Sequence, residues 1–272
     1  MTTIKHYHHN YHFSYTTSFK RHFYATTLVL LLLIIIILLI FSFISPAKPL
    51  INAGELSIID LAWASFSTLS RLIIAYFFSV LVAIPLALLI TATAKWEKIL
   101  LPFFDILQSV PVLAFFPVIV LAFIKINYFE GAAIFVLFMA MLWNLVFSMI
   151  GGLKLIPADI IGVATVFRAR GFKKLWYITL PAVLPYIITG SLLAWAQGWN
   201  ILIVAEVLHN YIPHGSPSQD LYGLGSLLVN ASYQNNHAVF LASLVVMIII
   251  IGILNFFIWQ KLLHLAERYK FD

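Results

Sequence analysis

The sequence has 272 residues, of which 62% are hydrophobic and only 10% charged, and its mean hydropathy is +1.01. A soluble domain carries roughly a quarter charged residues, so the chain reads as a polytopic membrane protein, and its net charge of +6 marks loops on one membrane face and not a nucleic-acid surface. Cysteine is absent, which excludes disulfides, thiol catalysis and Cys-ligated metal.

In chain order, residues 1–22 form a polar tail with five of the nine histidines and read as an unstructured cytoplasmic leader. The apolar run that follows is about one bilayer long and has no small-residue cleavage site, so 23–45 is predicted to be a retained first span. Residues 45–65 contain Glu55 and Asp60 among Pro and Gly, and read as an exposed connection with a short interfacial helix. The second span is predicted over 66–92 with an interruption at Pro85, and a charged turn around Lys95, Glu97 and Lys98 follows. The third, 99–124, contains Pro102, Pro111 and Pro117 and is expected to be broken or kinked. Spans at 131–153, 182–208 and 238–263 complete an all-α architecture of about six transmembrane helices, with the main unit at 66–263. A long polar loop occupies 209–237, and 264–272 is a charged cytoplasmic tail.

Between the fourth and fifth spans, residues 157–185 are too basic to cross a bilayer. They read as two short helices: the first has Ile160, Val163, Ala164 and Phe167 on one face and Asp159 near its start, where negative charge is favoured. The second sets Phe172, Leu175 and Trp176 against Arg170, Lys173 and Lys174. Pro181 and Pro185 are expected to turn the chain into the next span. The two termini and the loops after the second and fourth spans hold Lys5, Lys20, Arg21, Lys95, Lys98, Lys154, Arg168, Arg170, Lys173, Lys174, Lys261, Arg268 and Lys270, against Lys48 and Lys125 opposite. Thirteen against two predicts that both termini and the basic loop face the cytoplasm.

The spacing in this loop resembles the coupling motif of binding-protein-dependent ABC importer permeases: Glu-Ala-Ala, three residues, Gly, nine residues, Ile, one residue, Leu-Pro. Its places fall at Gly162, Val163 and Ala164, then Arg168, Ile178, Leu180 and Pro181. Ala164, Ile178, Leu180 and Pro181 match, whereas Gly162, Val163 and Arg168 stand where the family has Glu, Ala and Gly. TLSRLIIAYFFSVLVAIPLALL at 68–89, DILQSVPVLAFFPVIVLAF at 105–123, WNILIVAEVL at 199–208 and Gly223-Leu224-Gly225 look like the branch serving nitrate, sulfonate, taurine and similar small anions.

The resemblance implies a coupling loop, 157–177, that docks in a groove of a separate ATPase, one of two such subunits in the assembly, through Asp159, Gly162, Val163, Ala164, Phe167, Arg168, Arg170 and Gly171. It also implies alternating access, a second permease copy as homodimer or related heterodimer, and an extracytoplasmic substrate-binding protein that meets the 209–237 loop. The cytoplasmic (inner) membrane is the implied location. No G-x-x-x-x-G-K-[ST] phosphate loop occurs, so ATP and Mg are expected on the partner, with no cofactor and no catalysis in this chain.

Polar residues at membrane depth are candidates for the translocation path, because charges there usually face a bundle interior or a water-filled cavity. They are Arg71, Gln108, Gln197, Asn200 and Glu206. Arg71 reads either as an anion attractor or as the partner of an acid such as Glu206, and Gln197 with Asn200 either as pore lining or as glue between helices. Asp105 reads as a cap or a partner of Lys98. Gly190, Ala194 and Gly198 give the fifth span a small-residue face suited to a packed interior or a dimer contact. His209, His214 and His237 fit no strong ligand spacing, and anionic membrane lipid is a further partner for the basic loop. The competing reading is an ion-coupled secondary transporter, against which Asp105 and Glu206 fall near opposite membrane faces.

Overall fold

A computed structural model describes residues 57–269 apart from the side chains of Val163 and Thr165. The leader at 1–22, the first predicted span at 23–45 and residues 270–272 lie outside the described residues. The rest is an all-α membrane protein of eight helices. Four are long and apolar enough to cross a membrane, and a bent pair makes a fifth span.

Helix α1, Ile58–Ile90, starts earlier than the sequence suggests because Ser57 and Asp60 cap it reciprocally: Ser57 Oγ accepts from Asp60 N at 3.2 Å and the Asp60 carboxylate accepts from Ser57 N at 3.3 Å. Residues 58–65 of the predicted connection are therefore the first turns of the span itself, and the rest of it, up to 56, lies outside the described residues. Pro85 does not interrupt the helix; one missing donor in 33 residues leaves the bonds on either side to hold it. Helices α2, Ala94–Ser109, and α3, Val112–Ile124, form the broken span, bent by 81°. Only Pro111 breaks it, with Val110 extended at ψ 123° as a residue before proline prefers. Pro102 and Pro117 lie within helices.

Helix α4, Phe129–Lys154, is the centre of the bundle, with 61% of its most apolar stretch buried between α1 and α6. After a short α5, Ala158–Val166, helix α6 runs without a turn from Gly171 to Glu206. Pro181 and Pro185 do not redirect the chain as expected. A π-helical turn at Leu175–Thr179, in which Leu180 N donates to Leu175 O, widens the helix just before Pro181 and accommodates its missing donor. Gly190 and Gly198 resolve the small-residue face in favour of a packed interior: a Cβ at Gly190 would meet Ser148 and the carbonyl of Asn144, and one at Gly198 would meet Met141 and Leu72. Tyr76 Oη donates to Ser191 Oγ at 2.6 Å, tying α1 to α6 at mid-depth.

The short helix α7, Leu224–Tyr233, follows the polar loop and packs beside α6 and α1. Helix α8, His237–Glu267, bears exposed Ile248, Ile249, Ile253 and Phe256 and buries little. Helix α2 has no buried residue. These two present the outward apolar surface that lipid or a neighbouring subunit covers.

Candidate functional site

Two clusters concentrate the chemistry, one at each end of α6. At its start, α5 terminates by a Schellman turn: Ala169 N donates to Ala164 O at 2.9 Å while Arg168 takes the left-handed conformation at φ 49°. That conformation favours glycine, the residue the motif carries at this place, and an arginine there costs about 1–2 kcal/mol. Gly171, also left-handed at φ 53°, then starts α6. Ala164 is the buried anchor of the turn, while Val166 and Phe167 are 80% and 77% exposed. Phe167 thus leaves the stripe predicted for it, since it lies beyond the last helical residue. Asp159, Gly162, Arg168, Arg170 and Lys173 are exposed, and open space surrounds the Cβ position at Gly162. Phe172 and Trp176 stack at 5.9 Å on the outside, with Ile178, Leu180 and Pro181 half-buried beyond them. Lys154 pairs with Glu97 at 2.6 Å, holding the end of α4 to the start of α2.

At the other end of α6 the polar groups are enclosed. Arg71, 2% exposed, donates from Nη1 to Glu206 Oε1 at 2.6 Å, from Nε and Nη2 to the Glu130 carboxylate at 2.5 and 2.7 Å, and from Nη2 to Tyr222 O at 3.0 Å. Glu206, with no exposure, also accepts from Thr68 Oγ1 at 2.7 Å, Gly225 N at 2.7 Å and Ser226 N at 3.3 Å. Thr68 Oγ1 in turn accepts from Leu224 N at 3.0 Å. Two carboxylates face one guanidinium, and the surplus negative charge lies at the N-terminus of α7, where the helix dipole and its free N–H groups favour it. Gly223 and Gly225 are needed for this approach, because a Cβ at either would run into the Glu206 carboxylate. Tyr222 Oη donates to the Asp60 carbonyl at 2.7 Å; burial pushes its phenol up to about 12, and the Asp60 charge adds to the shift. Beside this cluster, Asp220 accepts from His209 N at 3.0 Å and lies 2.8 Å from His209 Nδ1. No group of metal-ligating side chains occurs among the described residues.

The candidates for a path are therefore divided. Arg71 and Glu206 come together in the enclosed cluster. Gln197 is half-buried and Asn200 exposed on α6, where Asn200 continues a stripe of exposed Thr189, Leu193 and Ala196. Gln108, on α2, donates to Asp105 Oδ1 at 2.9 Å, so the partner of Asp105 is the residue three positions on and not Lys98, with which it forms no ion pair among the described residues.

Residues 79–268 match the family described as binding-protein-dependent transport system inner membrane component. The chain belongs to this family. Nitrate import permease protein NrtB of Leptolyngbya laminosa is 31% identical over 166 residues, covering 61% of this chain and 58% of NrtB. Bicarbonate transport system permease protein CmpB of Synechococcus elongatus is 29% identical over 204 residues, covering 75% and 67%. Taurine transport system permease protein TauC of Escherichia coli is 29% identical over 163 residues, covering 59% and 58%. The chain thus spans less than two thirds of NrtB and TauC. It is a multi-pass inner-membrane permease of the ABC importer class, in the branch of these relatives, which are transport subunits and not enzymes.

In this permease, three of the sequence stretches that resemble the family supply the enclosed cluster: 68–89 gives Thr68 and Arg71, 199–208 gives Glu206, and Gly223-Leu224-Gly225 gives the approach to α7. The fourth, 105–123, forms the broken span. Glu130 lies outside all four stretches, just before the span predicted at 131–153. Its signal was a lone carboxylate in the first helical turn of a span, opposite in sign to the single cation within α1.

Proposed function

We propose that the permease carries a small anion across the cytoplasmic membrane by alternating access, driven by ATP hydrolysis on two partner ATPase subunits. Its relatives named for nitrate, bicarbonate and taurine support that class of solute. The observation that carries the reading is the form of the coupling segment: α5 and its exposed turn lead without a break into α6, a single helix from Gly171 to Glu206. A push on Phe167, Arg168 or Arg170 is delivered along a rod whose glycine face is locked to α4.

In this reading Asp159, Gly162, Phe167, Arg168, Arg170 and Gly171 form the docking surface, with Ala164, expected on it, buried beneath the turn as its anchor; the surface faces the cytoplasm with both termini, as the excess of Lys and Arg on that side favours. Gln197 and Asn200 on the open face of α6 line the path between two permease copies. Arg71 and Glu206 fix its outer end, next to the loop that receives the binding protein. ATP and Mg are held by the motor subunits alone.

The test is uptake of labelled nitrate, bicarbonate or taurine into proteoliposomes holding the permease, its ATPase and its binding protein. Accumulation that needs ATP and survives collapse of all ion gradients is the expected result. Uptake by the permease alone, driven by an ion gradient, overturns the reading in favour of a secondary carrier.

A further inference from the structure

Midway across the bundle, α4 and α6 together form a groove. On α4, Asn144, Phe147, Ser148 and Gly151 fall at i, i+3, i+4 and i+7 on one face, and all four are half-buried. On α6, Thr189, Leu193 and Asn200 are exposed and Gln197 is half-buried. Gly190 lets the two faces meet, because a Cβ there would come within 2.7 Å of Ser148 Cβ and 3.1 Å of the Asn144 carbonyl. The Cβ position of Gly151 looks onto open space. Asn144 is ten residues from Lys154, about 15 Å at the helical rise, and Gln197 is nine from Glu206, about 14 Å, so the groove is far from both surfaces.

Two properties set this groove apart. Among the described residues the side chains of Asn144, Ser148, Gln197 and Asn200 have no hydrogen-bond partner, whereas Tyr76, Ser79, Thr189 and Ser191 around them all have one. Amides left unpaired in hydrocarbon are costly, and polar groups at this depth usually face a bundle interior or a water-filled cavity. The second property is neutrality. Neither helix carries a charged residue between Glu130 and Lys154 or between Lys174 and Glu206. Arg71, the single cation within α1, has every guanidinium nitrogen occupied.

An anion crossing here needs donors, and amide N–H and hydroxyl groups supply them without a net charge. A fixed cation in so low a dielectric would hold the anion too firmly, while passage needs binding that is weak enough to release. Resting on the reading of this chain as an anion permease, we infer that the groove between α4 and α6 is the solute contact at mid-depth. Asn144 and Ser148 on α4, with Gln197 and Asn200 on α6, replace the water around the anion as neutral donors, and Asn144 and Ser148 are specificity-determining residues of the α4 wall.

The experiment uses the permease assembled with its ATPase and binding protein in proteoliposomes, offered labelled nitrate, bicarbonate and taurine separately at saturating concentration. Asn144→Asp keeps the shape of the side chain but sets a carboxylate in the groove. It is expected to cut ATP-dependent uptake of the accumulated solute at least about tenfold while the complex still elutes whole from a sizing column. The N144L/Q197L/N200L variant, which removes the donors, is expected to show the same loss. Q197N/N200Q exchanges the two amides, keeps the donors and is expected to recover most of the uptake. Uptake unchanged in Asn144→Asp and in the leucine variant overturns the inference and leaves the ATP-driven reading standing. Uptake lost only together with dissociation of the complex overturns it in favour of amides that hold helices of two subunits together. A wild type that accumulates none of the three solutes with ATP overturns both.

Discussion

The two ends of α6 treat charge in opposite ways. At one, Arg71, Glu130 and Glu206 are packed among Thr68, Tyr222 and the first N–H groups of α7, and every guanidinium nitrogen of Arg71 has a partner. At the other, Arg168, Arg170 and Lys173 stand in solvent beside exposed rings, on a turn that includes a left-handed arginine. A charge that is enclosed and partnered fixes helices in place; an exposed and unpaired one, next to apolar surface, awaits a second molecule. A rod held at one end and exposed at the other suits a helix that receives force.

The sharpest way to break this contrast is to remove a member of the enclosed cluster. Arg71→Ala leaves two buried carboxylates facing each other and is expected to lower stability by about 3–5 kcal/mol; Glu206→Ala leaves Arg71 paired with Glu130 but deprives Arg71 Nη1 and the start of α7 of an acceptor, at about 1–3 kcal/mol. Both are read as loss of folded permease after detergent extraction. A cluster that serves the path and not the fold would lose uptake in these variants while keeping wild-type thermal stability.

Gly223→Ala probes the same end without touching a charge. The added Cβ meets the Glu206 carboxylate, so α7 must shift, at an expected cost of about 1–3 kcal/mol. Gly162→Ala, at the other end, adds its methyl to open space in the middle of α5 and should raise stability slightly, by about 0.5–1 kcal/mol. Equal effects at the two glycines would erase the distinction between a packed end and a presented one.

Arg168→Gly should move stability and binding in opposite directions. Relief of the left-handed strain is expected to stabilise the α5 turn by about 1 kcal/mol, while loss of the cation weakens hold on the ATPase. Slower amide exchange at Ala169, whose N–H closes the turn, checks the first half. Faster exchange there would show that the arginine side chain, and not the backbone, maintains the turn.

Much of this architecture is legible in the sequence, because apolar length is a one-dimensional signal. The five spans of the described residues fall where hydropathy puts them, and the break in 99–124 follows from its prolines. What proline means at a given site is less local. Pro85, Pro181 and Pro185 sit inside continuous helices, since neighbouring bonds or a π turn absorb the lost donor. The pairing of Arg71 with Glu206 was readable as one of two options, but Glu130 was not, because it comes from a third helix and only the packing of α4 against α1 brings it in. The membership of Gly223 and Gly225 is equally a matter of tertiary approach.

Tyr222 marks the boundary of the enclosed end and gives the smallest effect. Tyr222→Phe removes the hydrogen bond to the Asp60 carbonyl, worth about 0.5–1.5 kcal/mol near neutral pH. Its pH dependence has a definite sign. An unfolded phenol ionises near 10, and in the folded chain Tyr222 resists until about 12. A group whose folded pKa is raised contributes fully below the unfolded value, so this part of the stability is complete up to about pH 10 and fades as pH climbs from there towards about 12. Partial exposure screens the effect, and the slope is therefore shallow. Phenolate absorbance should lose one late-titrating group in the variant, and wild type should lose stability slightly faster than the variant across that window. Identical slopes would mean that water, and not the α1 cap, surrounds the Tyr222 hydroxyl, and the enclosed end would stop at Arg71.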